Sequence, residues 1–338
     1  MSISPIIVCI SALGVALVGT PLARQIAPRL GIIDHPSARK LHVRPVPLMG
    51  GAAIYVGVVL ALLLIDNPFR SSELAGIVIG ASVLALTGLW DDRAPLSAGI
   101  KLLIQIGTTV ILIISGVQVQ LPVPYALNIA ITLAWVVGIT NAINLLDNMD
   151  GLSGGICAIA AAFFTLLAAL NDQILVGALA AAVMGACLGF LVYNFNPASI
   201  FMGDAGTLFL GFVLAGLGIK LRFPGASSPW MTWMVPVLVL GVPIFDTTLV
   251  FISRLRRGVN PLTTAGKDHT SHRLARFGLS HREAVMALYL VACGCGLAAV
   301  YVAKANAFDS YFLTGMMALL GAWGLWRLEF KSDPKGLA

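Results

Sequence analysis

The chain has 338 residues, of which 58% are hydrophobic and 11% charged, and its mean hydropathy is +0.93. Soluble domains carry roughly 25% charged residues, so this composition excludes a soluble enzyme and describes an integral membrane protein. The net charge of +6 invites a nucleic-acid reading, but the placement of the basic residues explains it through membrane topology, with no nucleic-acid partner.

A spanning helix needs about 20 largely apolar residues. About eleven runs qualify on that measure, near residues 3–22, 48–66, 74–90, 100–116, 124–143, 154–171, 173–193, 205–219, 230–253, 284–303 and 310–326. No Lys or Arg precedes Arg24, so the first run lacks the basic start of a signal peptide and is expected to remain as a helix. The five cysteines all fall inside apolar runs without metal-binding spacing, and read as small core residues.

Alternate connections belong to opposite sides of the bilayer. One side then receives 17 of the 21 Lys and Arg residues and the other 4. The positive-inside rule makes the richer side cytoplasmic. The expected fold is all-α and polytopic, one transmembrane domain over residues 1–338, with the N-terminus outside and the C-terminus inside. The outer connections are short. The inner ones hold every polar cluster with chemical potential.

In chain order, the first inner connection contains RKLHVRPVPLMGG, with Lys40. The third run ends in Asp91-Asp92, and Lys101 opens the fourth. Acids fit a helix C-terminus poorly and a cation fits a helix N-terminus poorly. The two misplacements face each other across a short loop. They suggest a shared anionic ligand with a cation, or more simply a Lys101–Asp salt bridge.

Residues 141–155 read NAINLLDNMDGLSGG and place Asn141, Asn144, Asp147, Asn148 and Asp150 in one short stretch. Such a run also suits an ordinary polar turn. Carboxylate and carboxamide oxygens match a hard ion such as Mg²⁺ or Mn²⁺. Asp204, in FMGDAGTLFLG, stands where an N-cap would open the eighth helix, with Gly203 and Gly206 beside it. Asp246 lies inside the ninth run and could be structural or substrate-facing. The last inner connection holds GKDHTSHRL, with His269, His272 and Arg273, a composition suited to phosphate. Arg254, Arg256 and Arg257 read as a solvated basic stretch.

Together, RKLHVRPVPLMGG, the Asp91-Asp92 pair, Lys101, NAINLLDNMDGLSGG, NFNPASIFMGDAGTLFLG and the late histidine loop resemble the polyprenyl-phosphate N-acetylhexosamine-1-phosphate transferase family over residues 34–282. The lone DxxDG also resembles the start of the CDP-alcohol phosphotransferase signature, whose remaining residues are absent. The transferase resemblance implies movement of a sugar 1-phosphate from a UDP-sugar donor to a membrane polyprenyl phosphate acceptor, with Mg²⁺ that Mn²⁺ can replace. It implies catalytic roles for Asp91, Asp92, Asp147 and Lys101 and metal binding by Asp204 and Asn144. Candidate substrate-binding positions are Lys40, Asn141, Asp150, Asn194, Gly203, His269, His272 and Arg273.

The muramoyl-pentapeptide branch usually carries three consecutive histidines where this chain reads DHTSHRL. That departure points towards a simpler N-acetylhexosamine, UDP-GlcNAc first, at the cytoplasmic face of a bacterial inner membrane. A homodimer stays open. The competing class is a cation-coupled transporter, whose acids would sit near the bilayer midplane on broken helices in repeated halves. Here the acids gather at one membrane edge and no repeat is visible.

Overall fold

A computed structural model describes residues 4–36, 45–65, 71–224, 229–261, 264 and 266–330, so Lys40 lies outside the described residues. The protein is all-α apart from one small antiparallel pair, β1 (Ile33–Asp34) and β2 (Val46–Pro47). Its helices are α1 (Pro5–Leu30), α2 (Gly50–Leu62), α3 (Ser72–Arg93), α4 (Ala98–Ile114), α5 (Tyr125–Leu146), α6 (Leu152–Ala169) and α7 (Ile174–Asn194). After them come α8 (Gly203–Lys220), α9 (Met234–Val239), α10 (Gly241–Arg256), α11 (Thr270–Arg276), α12 (His281–Val302) and α13 (Ala307–Phe330).

Each expected run is a helix, and the ninth is two. Pro243 has no N–H for the Val239 carbonyl four residues earlier, and its ring crowds that carbonyl. The run accordingly breaks at Leu240, which ends α9 and starts α10. The short α11 lies in what reads as loop. Seven helices (α1, α3, α5, α6, α7, α8 and α12) are long and apolar enough to cross a membrane, and α2 and α4 are shorter apolar helices. This is a multi-pass membrane protein.

Helix ends follow local chemistry. Ser71 and Ser97 cap α3 and α4 by accepting bonds from Leu74 and Ile100, and Ser280 forms a capping box with Glu283 on α12. Gly31, at φ 71°, closes α1 in the left-handed conformation that glycine takes at low cost.

At the centre stands α8, in which every residue except Asp204 and Lys220 is buried. It is bordered by α2, α3 and α5. Glycines allow backbone-to-backbone approach at its N-terminal end. A Cβ on Gly51 would stand 2.0 Å from the Gly206 nitrogen, and one on Gly88 would stand 2.3 Å from the Asp204 carbonyl carbon. The start of α8 is therefore clamped between α2 and α3, which leaves Asp204 little freedom to move. At the other end of α8, Lys220 pairs with Glu73.

Candidate active site

Residues from four parts of the chain meet at the N-terminus of α8: the stretch after β2, the α3–α4 turn, the end of α5 and the segment before α8 itself. The strand containing Val46–Pro47 runs alongside residues 200–202. Phe201 N–H bonds the Pro47 carbonyl at 2.8 Å, and Gly50 and Gly51 N–H groups bond the carbonyls of Phe201 and Met202 at 2.9 and 2.8 Å. This backbone seam joins the first inner connection to the segment that carries Asp204.

Asp91 and Asp92 have different jobs. Asp91 closes the turn between α3 and α4, accepting from the Leu96 N–H at 2.6 Å and from Lys101 Nζ at 2.8 Å. Lys101 also reaches Asp204 Oδ2 at 3.0 Å. The simple salt-bridge expectation for this loop therefore holds, and it extends to a second acid on another helix.

Asp92 accepts the N–H groups of Asp204 and Ala205 at 2.8 and 3.1 Å. The expectation that Asp204 is the N-cap of α8 is corrected here. Met202 occupies the cap position without a side-chain bond, and the capping oxygens come from Asp92, on α3. Two observations make that reach feasible. Gly203 turns with φ 72°, and a Cβ there would stand 2.4 Å from Asp92 Oδ2.

Freed from capping, Asp204 presents its own carboxylate. Oδ1 accepts from Asn144 Nδ2 at 2.8 Å, and Asn144 also donates to Thr207 Oγ1 at 2.8 Å. Thr207, one turn beyond Asp204, was missed in the sequence, although an i,i+3 spacing puts both on one helix face. Asp147, just past the end of α5, is half-buried; its N–H bonds the Asn144 carbonyl, but its carboxylate makes no hydrogen bond or ion pair with any described residue. Burial, and then the negative charges of Asp204 and Asp150, push its carboxyl up to about 7.

Other candidate substrate-binding residues also brace the fold. Asn141 donates to Gln105 Oε1 at 2.6 Å and to the Val137 carbonyl at 2.8 Å, tying α5 to α4. Asp150 Oδ2 accepts from Asn196 Nδ2 at 3.0 Å and from the Ala198 N–H at 2.9 Å. Asn194 accepts from the Gly151 N–H and donates to the Ile200 carbonyl, both at 3.0 Å. These bonds of Asn141, Asp150 and Asn194 hold one loop or helix to another.

The late loop is held from within. Arg273, expected at the donor, is buried, and its guanidinium is engaged on every side. Nε bonds the Asp268 carbonyl, the terminal nitrogens reach the Leu328 carbonyl and Ser253 Oγ, and Glu329 Oε2 lies 2.7 Å away, off hydrogen-bond alignment. Arg254, read as solvated, is buried and grips Asp268 through two bonds of 2.9 and 3.1 Å. Sequence reasoning had no sight of Glu329, which lies 56 residues after Arg273. Ser271 Oγ donates to Asn148 Oδ1, so the late loop touches the segment that carries Asp147.

Asp91 and Asp204 share one ammonium, Lys101, while Asp92 bonds the start of α8 and Asp147 lies close enough to feel the Asp204 charge. Crowded carboxylates at a partly buried site are relieved by a retained proton or by a bound cation. Among the described residues no three His, Cys, Asp or Glu side chains stand in ligating arrangement. Mg²⁺ is commonly held by one or two carboxylates and completed by substrate phosphate and water. The bondless Asp147 carboxylate beside Asp204, with the Asn144 amide, is an all-oxygen set that fits such an ion.

A multi-helix membrane bundle that gathers Asp91, Asp92, Asn144, Asp204 and Lys101 at the start of one buried helix has the make-up of an integral-membrane enzyme. The chain belongs to glycosyl transferase family 4, whose sequence model matches residues 74–222, the stretch from α3 to just past α8. It is similar to a probable undecaprenyl-phosphate N-acetylglucosaminyl 1-phosphate transferase of Bacillus subtilis (strain 168), 36% identical over 91% of this chain and 87% of that one. It is also similar to a decaprenyl-phosphate N-acetylglucosaminephosphotransferase of Mycolicibacterium smegmatis, 33% identical over 80% of this chain and 75% of the other. A third relative is the undecaprenyl-phosphate alpha-N-acetylglucosaminyl 1-phosphate transferase of Escherichia coli (strain K12), at 27% over 80% and 76%.

Proposed function

We propose that this enzyme transfers N-acetylglucosamine 1-phosphate from UDP-GlcNAc to a polyprenyl phosphate such as undecaprenyl phosphate. The products are polyprenyl-diphosphate-GlcNAc and UMP, and the reaction opens a lipid-linked cell-envelope glycan. The chain acts as one transmembrane domain whose site faces the cytoplasm of the bacterial inner membrane. The supporting observation is the joining of Asp91, Lys101, Asp204, Asn144 and Asp92 into one bonded cluster in a chain whose relatives carry GlcNAc-1-phosphate transferase names.

Both substrates are anions, and charge repulsion is the main barrier. A phosphomonoester has its second pKa near about 6, so the acceptor is already mostly dianionic at neutral pH and needs little help from a base. A phosphate oxygen attacks the β-phosphorus of the donor in line, a new P–O bond forms, the bond to the α-phosphate breaks, and UMP leaves. Lys101 neutralises phosphate charge, and Asp91 fixes its direction. Asp92 holds the start of α8 so that Asp204 is aimed into the site.

Asp204, Asp147 and the Asn144 oxygen would hold Mg²⁺, which Mn²⁺ could replace. Such an ion supplies a Lewis acid that stabilises charge on the diphosphate.

The test is UMP release by purified protein from UDP-GlcNAc and undecaprenyl phosphate, with UDP-GalNAc and UDP-N-acetylmuramoyl-pentapeptide as competing donors. UDP-GlcNAc is expected to be preferred, and chelation to stop turnover until Mg²⁺ is returned. Release from the pentapeptide donor alone overturns the sugar assignment, and full activity in chelator overturns the metal. Ion flux without UMP would return the protein to the transporter class.

A further inference from the structure

One buried acid takes no part in the carboxylate cluster. Asp246 lies in α10, is 1% exposed, and stands in a helix where an ionisable group needs a partner. Its two oxygens go to adjacent residues of another element. Oδ2 lies 2.8 Å from His269 Nδ1, and Oδ1 accepts the Thr270 N–H at 2.7 Å. His269 is itself buried and occupies the cap position of α11 without capping it. Asp246 supplies the missing cap from α10 and holds the imidazole with the same carboxylate.

The ring is thus oriented through Nδ1, and Nε2 is the nitrogen left with no bond to a described residue. The residues that follow His269 are held as well. The next N–H along, that of Thr270, is tied to α10, and Ser271 is tied to Asn148 in the segment carrying Asp147. The first turn of α11 is therefore pinned on one side to α10 and on the other to the segment carrying Asp147. Rotation of His269 would break the Asp246 contact.

We propose that Asp246 is a positioning residue for the transfer reaction: it fixes His269 with Nδ1 against the carboxylate and Nε2 offered to the donor diphosphate. This rests on the function proposed above and adds a role to a residue that touches neither substrate. A carboxylate that both caps α11 and holds the His269 ring makes donor recognition sensitive to a side chain on a different helix, α10.

The experiment compares Asp246→Asn, Asp246→Leu, His269→Gln and the Asp246→Leu/His269→Gln double variant in nanodiscs. It measures thermal melting and separate KM values for UDP-GlcNAc and undecaprenyl phosphate. Asp246→Leu should raise the donor KM about tenfold or more, the worth of a lost charged hydrogen bond, while the acceptor KM stays within about twofold. Asp246→Asn keeps one accepting oxygen and should recover part of the loss. The double variant should be little worse than either single variant, since both remove one unit. Equal rises in both KM values, or strictly multiplied losses, overturn the proposal.

Selective ¹⁵N-histidine spectra of the full chain give a reading independent of turnover. The His269 Nδ1 signal, assigned by its absence in His269→Gln, should move in Asp246→Asn even if the Leu variant does not fold. An unmoved signal overturns the positioning role. An inactive wild type whose signal still moves would instead overturn the transferase reading alone.

Discussion

Replacing Asp268 with Asn tests whether the late loop is held by buried charge. The Asp268 carboxylate is 1% exposed and sits between Arg254, itself 2% exposed, and Arg257. Burial alone would raise its pKa, but the bonds and charge of Arg254 prevail and hold it at about 2 instead of 3.8. That displacement corresponds to about 2 kcal/mol of pairing. Removing one partner of a buried pair strands the other, at a cost of about 3–5 kcal/mol. The two routes bracket a loss of about 2–5 kcal/mol. The folded value is depressed, so this stabilisation is complete above the unfolded pKa near 3.8 and disappears as pH falls through about 2. At neutral pH the Asn variant should therefore show the whole loss. Hydrogen exchange is the sensitive assay, because α11 can open without global unfolding. Amides across residues 268–276 should exchange on the order of 100-fold faster, at about 1.4 kcal/mol per factor of ten, while those of α8 stay protected. Unchanged exchange in α11 would show that packing, not the ion pair, seats the loop.

The other predictions concern the cluster and the histidines. Asp92→Asn keeps a capping oxygen and should melt close to wild type, whereas Asp92→Ala should lose about 1 kcal/mol and more activity than the Asn variant; equal melting of the two would refute the cap. Lys101→Met leaves Asp91 and Asp204 without their shared cation and should lower kcat/KM on the order of 100-fold, with a variant near wild-type rate excluding a direct role. Burial, then the positive charges of His269, Lys267 and Arg276, hold His272 down to about 4 against its usual 6.5. Its contribution to stability is therefore present above about pH 6.5 and drains away as pH falls to about 4. In a melting series over that window His272→Asn should show a flatter acid limb, and an identical limb would mean that His272 is not the group responsible.

The helices were legible because a spanning segment announces itself by a local average, and each expected run is helical. The break in the ninth run was also written locally, in Pro243. The chemistry of single side chains was legible only where the partner lay close in sequence, as with Asp91 and Lys101, ten residues apart. Asp204 stood where an N-cap belongs, yet its N–H is taken by Asp92, 112 residues earlier. Arg273 looked like a phosphate ligand because its counter-ion and carbonyl partner lie at the far end of α13. Asp246 was noticed as an acid within a span, but nothing nearby named His269 as its partner. What sequence spacing cannot supply is the fold's choice of which distant groups share a bond.

The burial of α8 implies an order of events during synthesis. It has the lowest mean hydropathy of the seven spanning helices, 1.3, and opens with an acid, so lipid is a poor first host for it. Chains emerge N-terminus first. By the time α8 is made, α2, α3 and α4 already exist, and with them the glycine faces, the Asp92 oxygens and the Lys101 ammonium that receive it. The late loop has no such advance support. Arg254 and Asp268 can pair as soon as both are made, but Arg273 must wait for Leu328 and Glu329. A nascent chain therefore passes through a stage in which the carboxylate cluster is assembled while the histidine loop is still unlatched, and ribosome-stalled chains ending before and after α13 would capture the two stages separately.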